Sequence, residues 1–257
     1  MKARRWMAGL VTVAALFGAA PAMAEATEVV VRVISKDAKF VGTSMGGVRV
    51  VLGDAETGEI LATGTTSGGT GNTGKIMHTD GGRRQVMADD SAAAFRATLD
   101  LERPRLVEVE AYGPLAQPQA AHRVTATQWL VPGRDVAAGN GWVLELPGFV
   151  VDILDPPAHR KLGERPDEVP VRANVTMMCG CPIEPGGLWD ADRYEVAAIV
   201  TRNGERVDEV ALEYAGETSQ FAGAIPVNGP GVYDIAVFAH DPHNGNTGVD
   251  RTTFIVN

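Results

Sequence analysis

The sequence predicts an all-β protein, two β-sandwich domains in series behind a cleaved signal peptide. Three observations predict the β class. No segment sustains an apolar period near 3.6, short runs rich in Val, Ile, Thr and Tyr recur instead, and Gly, Pro, Asn and Asp punctuate them. The 257 residues suffice for one large domain or two ordinary ones. With 45% apolar and 21% charged residues the chain falls among globular proteins.

Residues 1–24 read as an address. Lys2, Arg4 and Arg5 form a positive start, Trp6 to Phe17 an apolar run, and Ala22-Met23-Ala24 a small-x-small cleavage pattern. The run is too short for a permanent span, so no membrane insertion is expected after cleavage. Removing it leaves 20 basic against 32 acidic groups, a net charge of −12. Such a surface repels phosphate, which argues against nucleic acid as a partner. The expected product is soluble and acidic, in the periplasm or secreted, where conditions are oxidising.

Residues 25–154 form the first expected unit. Glu28–Ile34, Val48–Leu52, Glu59–Thr63, Phe95–Leu99 and Leu106–Tyr112 read as strands, with Asp54 to Gly58 as a turn. Trp142 to Ile153 reads as one last long strand broken at Pro147-Gly148. Only Asp90 to Ala94 has helical composition. Residues 155–168, opening with Asp155-Pro156-Pro157, read as a linker, because proline pairs and clustered charge resist helix and central strand alike. Residues 169–257 form the second unit. Val171, Ala173, Val175 and Met177 alternate as its second strand, and Tyr194 to Val200 is its third. Asn203-Gly204 is a hairpin turn. Tyr233 opens the penultimate strand, with Ile235, Val237 and Ala239 directed into the core.

Gly47-Val48-Arg49-Val50, Asp54, Thr57-Gly58 and Leu61-Ala62, then Leu106 through Gly113, resemble the transthyretin-like, carboxypeptidase-regulatory type of sandwich. A Gly/Thr/Ser-rich insertion, Ser67 through Asp90, departs from that pattern. The Tyr-Arg-Gly-Ser tail of the family's hydroxyisourate-hydrolysing members is absent, so that activity is not carried over. Gly231 through Asp241, Gly245 to Gly248 and Phe254-Ile255-Val256 resemble the last hairpin of bacterial immunoglobulin-like repeats, with Tyr233 where a tyrosine corner would stand. That resemblance implies a binding, spacing or adhesive module and no reaction.

Three signals look chemical. Gly69 to Lys75 matches most of a phosphate-binding loop, but Ile76 replaces the hydroxyl residue and no helix is expected to follow, so the stretch reads as a flexible glycine-rich loop. Met45, Met77, His78 and Met87 flank the insertion, where soft-metal capture competes with ordinary packing. The third signal is Met177-Met178-Cys179-Gly180-Cys181-Pro182, which holds both cysteines of the chain. In an immunoglobulin-like sandwich the second and sixth strands end at one pole. Cys179 and Cys181 should therefore meet His240 and His243 there.

Two sulfurs and two imidazoles suit zinc or copper(I), with Met178 as an added thioether. Carboxylates nearby would oppose a nucleophilic thiolate, and no Ser-His-Asp set is evident, so no enzyme is expected. The competing readings are a local Cys-x-Cys disulfide, inert or redox-active, and unrelated thiols. Trp189 and Tyr194 flank the cysteine loop as core caps or partner anchors. The Gly113 to Gln119 loop could dock on a partner or on the other unit. The functional expectation is an exported, non-catalytic binding or accessory protein with an envelope protein partner. It holds a metal ion at this pole, cycles a disulfide, or serves only as structure.

Overall fold

Alternating side chains lay out two pairs of sheets in the computed structural model, which describes residues 23–163 and 166–257. The stretch read as a leader, residues 1–24, lies outside the described residues apart from Met23 and Ala24. The first pair is built from β1 (Glu25–Ser35), β2 (Arg49–Asp54), β3 (Ile60–Thr65), β4 (Phe95–Leu101), β5 (Arg105–Gly113), β6 (His122–Leu130) and β7 (Trp142–Leu146). Its sheets run β4-β1-β7 and β3-β2-β5-β6, with β1 and β7 parallel. Val31, Val33, Val50, Leu52, Val107, Val109 and Leu144 fill the space between. The Asp54 turn forms as expected: its carboxylate accepts the Glu56 and Thr57 amides at 2.9 Å each, and Gly58 supplies the positive φ. Those amides hold the Asp54 carboxyl below its ordinary range, backbone Thr57 first and burial opposing.

The second pair is built from β8 (Phe149–Asp155), β9 (Arg160–Leu162), β10 (Glu168–Met177), β11 (Glu195–Arg202), β12 (Glu205–Ala211), β13 (Glu213–Tyr214), β14 (Gln220–Pro226), β15 (Gly231–His240) and β16 (Thr247–Val256). Its sheets run β13-β14-β10-β8 and β12-β11-β15-β16-β9. Read in chain order, this is the strand arrangement of an immunoglobulin-like sandwich. The Tyr233 hydroxyl donates to the Gly229 carbonyl at 2.9 Å, which is the tyrosine corner expected. Asn203 (φ 53°) and Gly204 (φ 89°) make the left-handed pair of a two-residue hairpin between β11 and β12.

Three local expectations are corrected. The stretch read as one closing strand, Trp142 to Ile153, is two strands in different sandwiches, since β7 pairs with β1 and β8 with β10. The segment read as a linker contains β9, which pairs with β16. The inward positions shift from even (Trp142, Leu144, Leu146) to odd (Phe149, Val151) across Pro147-Gly148, a break that marks the change of partner but does not by itself name the new one. Asp90 to Ala94 is not helical. The helix is α1 (Thr73–Met77), one turn capped by the Asn72 side chain accepting from the Lys75 amide.

The Ser67–Asp90 insertion is no loose loop. Ile76, Met87, Ala88 and Ala92 pack with Ile34, Phe40 and Val143 as a third small core on the outer side of the β4-β1-β7 sheet. The Lys75 ammonium donates to the Ala88 carbonyl at 2.9 Å, an internal use that a phosphate-binding lysine would not have.

Candidate functional site at the junction of the two sandwiches

Strand direction does deliver the two loops to one pole, and that pole is occupied by the first sandwich. β1 ends in a tight turn at Lys36-Asp37, where Asp37 takes φ 54°, a left-handed conformation that Asp tolerates. From the cysteine side, the Trp189 indole donates to the Asp37 carbonyl at 2.9 Å. From the β15–β16 loop, the Asn244 amide donates to the Asp37 carboxylate, and Lys36 Nζ reaches the Asn244 carbonyl at 2.8 Å. Asn246 accepts from the Gly148 amide at 3.0 Å, where the chain crosses between sandwiches. The loop owes its shape to Asp241, 4% exposed, whose carboxylate accepts the His243 amide at 2.8 Å and the Asn244 side chain at 2.8 Å.

Apolar side chains interlock beneath these bonds. Met177 points into the second core while Met178, with no exposed surface, points into the first. Phe149 and Val150 divide in the same way. Ala38 of the first sandwich belongs to the second core, and Met77 of α1 packs against it. Met45 sits over Gly180, where an added Cβ would lie 2.6 Å from the Met45 sulfur. Of the two readings of Met45, Met77, His78 and Met87, ordinary packing is the one that fits: the three methionines serve three different cores, and His78 is exposed.

Cys179 and Cys181 form a disulfide with Cα atoms 5.4 Å apart. Both lie in the second core, 1% and 4% exposed, and Gly180 takes the positive φ between them. His240 and His243 do not join them. Ala239 is buried and faces inward, so alternation turns His240 to the outer face of its sheet, where Nδ1 lies 3.3 Å from Glu195. The His243 ring is 62% exposed and rests 3.2 Å from Asp241. Among the described residues no group of three or more His, Cys, Asp or Glu side chains is gathered for a metal ion. The expected four-ligand set of Cys179, Cys181, His240 and His243 is not assembled, because its sulfurs are bonded to each other inside a core that its imidazoles face away from.

Trp189, 7% exposed, caps the core and locks the junction. Tyr194 packs edge-on against Phe149 at 5.1 Å. Burial first, then the Asp241 charge, pushes its hydroxyl up to about 12. An unfolded tyrosine ionises near 10, so this contribution to stability is complete below pH 10 and is lost as pH rises from 10 towards 12. Thermal midpoints recorded across that range should fall less steeply for Tyr194→Phe than for the parent. Equal slopes would remove Tyr194 as the cause.

Sequence reasoning missed Lys36, Asp37, Asn244 and Asn246. Asp241-Pro242-His243-Asn244-Gly245-Asn246 is legible as a turn, but nothing in it names what it docks upon. The Gly113–Gln119 loop does contact the other sandwich, through Gln119 Nε2 donating to the Val151 carbonyl at 3.1 Å.

Fold and junction together define an all-β chain of two sandwiches, the second immunoglobulin-like in strand order, joined through a shared polar and apolar contact. No family model matches the chain, and no curated protein matches its sequence. Among solved structures, an engineered protein is similar at 18% identity over 50% of this chain and 24% of its own, with a TM-score of 0.32. The chain thus spans about a quarter of that protein's length. A chimeric titin Z1Z2 carrying an exogenous decorin peptide is similar at 10% identity over 91% and 98%, TM-score 0.25, and titin A168–169 at 11% over 91% and 92%, TM-score 0.21. The fold assignment rests on the strand order and the tyrosine corner.

Proposed function

We propose that the protein is an exported, non-catalytic accessory module whose two sandwiches act as one rigid body in an envelope assembly. The observation that carries this reading is the occupied pole: the loops a binding module would leave open are spent on Lys36, Asp37 and Met45 of the neighbouring sandwich. Export is supported by the leader-like pattern of residues 1–24 and by a disulfide in a chain with no other cysteine. A transthyretin-like assignment for the first unit rests on its Gly47–Ala62 and Leu106–Gly113 motifs and its seven strands in two facing sheets. The redox alternative is disfavoured by burial, since exchange needs an attacking thiolate to reach a sulfur and these are at most 4% exposed.

Elemental analysis together with a timed thiol count on protein purified from the cell envelope tests this reading. The expected result is no stoichiometric copper or zinc, and a bridge that a dithiol oxidoreductase reduces only after denaturant is added. Bound metal lost on both Cys179→Ser and His243→Ala would reinstate the metal centre. Rapid reduction of the native bridge would reinstate the redox reading.

A further inference from the structure

Exposed strand edges need protection, because their unpaired N–H and C=O groups recruit other strands. Short length, bulges, charged residues and covering contacts are the usual devices. Most edges here carry one. β9 and β13 have three and two residues. β3 and β12 have shifted registers against their partners, and β12 is rich in charge. The outer groups of β8 are met by Gln119 and Asp250.

β6, among the described residues, has no bulge and no covering hydrogen bond, and its single charge, Arg123 near one end, lies 3.2 Å from Glu110 of its own sheet. It ends the β3-β2-β5-β6 sheet, runs nine residues in unbroken register with β5, and has one charged residue besides His122, which is Arg123. Val124 and Ala126 face the core, while Arg123, Thr125, Thr127 and Trp129 line the outer face. Trp129 is 56% exposed and Val131, just beyond, is 42% exposed.

We infer that β6 is the interface for a second copy of this chain, the two β6 strands pairing antiparallel about Ala126 into one continuous eight-stranded sheet. Full overlap of the nine residues puts the midpoint, Ala126, opposite its own copy. That register sets each Arg123 against the other copy's Trp129 and each Thr125 against Thr127. A guanidinium over indole and a threonine pair are both favourable cross-strand neighbours, and no like charges oppose. The same register brings each Val131 level with the other copy's Ala121. There a groove of about 230 Å³, lined by Ala120, Ala121, Phe149 and Val249 among others, opens between the sandwiches. The arrangement is two-fold symmetric and closed, which prevents filament growth. It does not depend on the function proposed above.

Light scattering on the purified chain through the micromolar range tests it. The expected mass is twice the monomer's. Trp129→Lys sets lysine against Arg123 and should give monomer with an unchanged circular dichroism spectrum, and Arg123→Glu should weaken the dimer likewise. The double variant pairs Glu with Lys across the two-fold and should restore the dimer. A parent chain that stays monomeric throughout, a dimer indifferent to Trp129→Lys, or a double variant no better than the single ones overturns the assignment.

Discussion

Tyr233→Ala is expected to cost about 3–5 kcal/mol of stability, because it removes a fully buried aromatic from a packed core. The ring stacks on Phe254 with centroids 4.7 Å apart and planes 8° from parallel, and its hydroxyl ties β15 to the preceding loop at Gly229. Tyr233→Phe separates the two contributions. It keeps the stack and leaves the Gly229 carbonyl without its partner, for about 1–3 kcal/mol. Urea unfolding followed by circular dichroism gives both values. A phenylalanine variant as stable as the parent would mean that the corner contributes packing alone and that the hydroxyl does not hold the turn.

Asp241→Ala should cost about 3 kcal/mol, since two hydrogen bonds to a buried carboxylate are lost together. Its further consequence is mechanical. Without Asp241, Asn244 is released from the geometry in which it meets Lys36 and Asp37, so the junction loosens while each core stays intact. Unfolding in denaturant should then separate into two transitions, where the parent shows one. Opening the disulfide with Cys179→Ala and Cys181→Ala, which adds no polar group to the core, should do less, because closing so small a ring restricts the unfolded chain by only about 1.5 kcal/mol. The reverse ranking would make the disulfide, and not the Asp241 loop, the lock between the sandwiches.

The strands were largely legible in the sequence, for a reason visible at particular residues. Val171, Ala173, Val175 and Met177 alternate against solvent-facing neighbours, and Tyr233 through Ala239 do the same, so a period of two marks both the element and its inward face. Asn203-Gly204 and Asp54 to Gly58 were readable because their backbone conformations demand those residue types. β6 went unread although its composition is strand-like, because an edge strand with few buried positions leaves a weak pattern. The insertion was misjudged as loose because the burial of Ile76 and Met87 depends on the outer surface of a sheet formed elsewhere in the chain. The convergence of the cysteine and histidine loops was deducible from strand order. What met them there was not.

Local chemistry, written into the order of residues, determined the β class, most strand positions, the principal turns, the tyrosine corner and the proximity of Cys179 to Cys181. Long-range packing alone decided that Phe149–Asp155 joins the second sandwich, that Met178 enters the first core, and that the first sandwich fills the pole where the cysteine and histidine loops meet. Periodicity states that a side chain is covered and never by what. The partner of a strand, or the occupant of a pole, is set by contacts between residues 100 or 200 positions apart, such as Lys36 with Asn244.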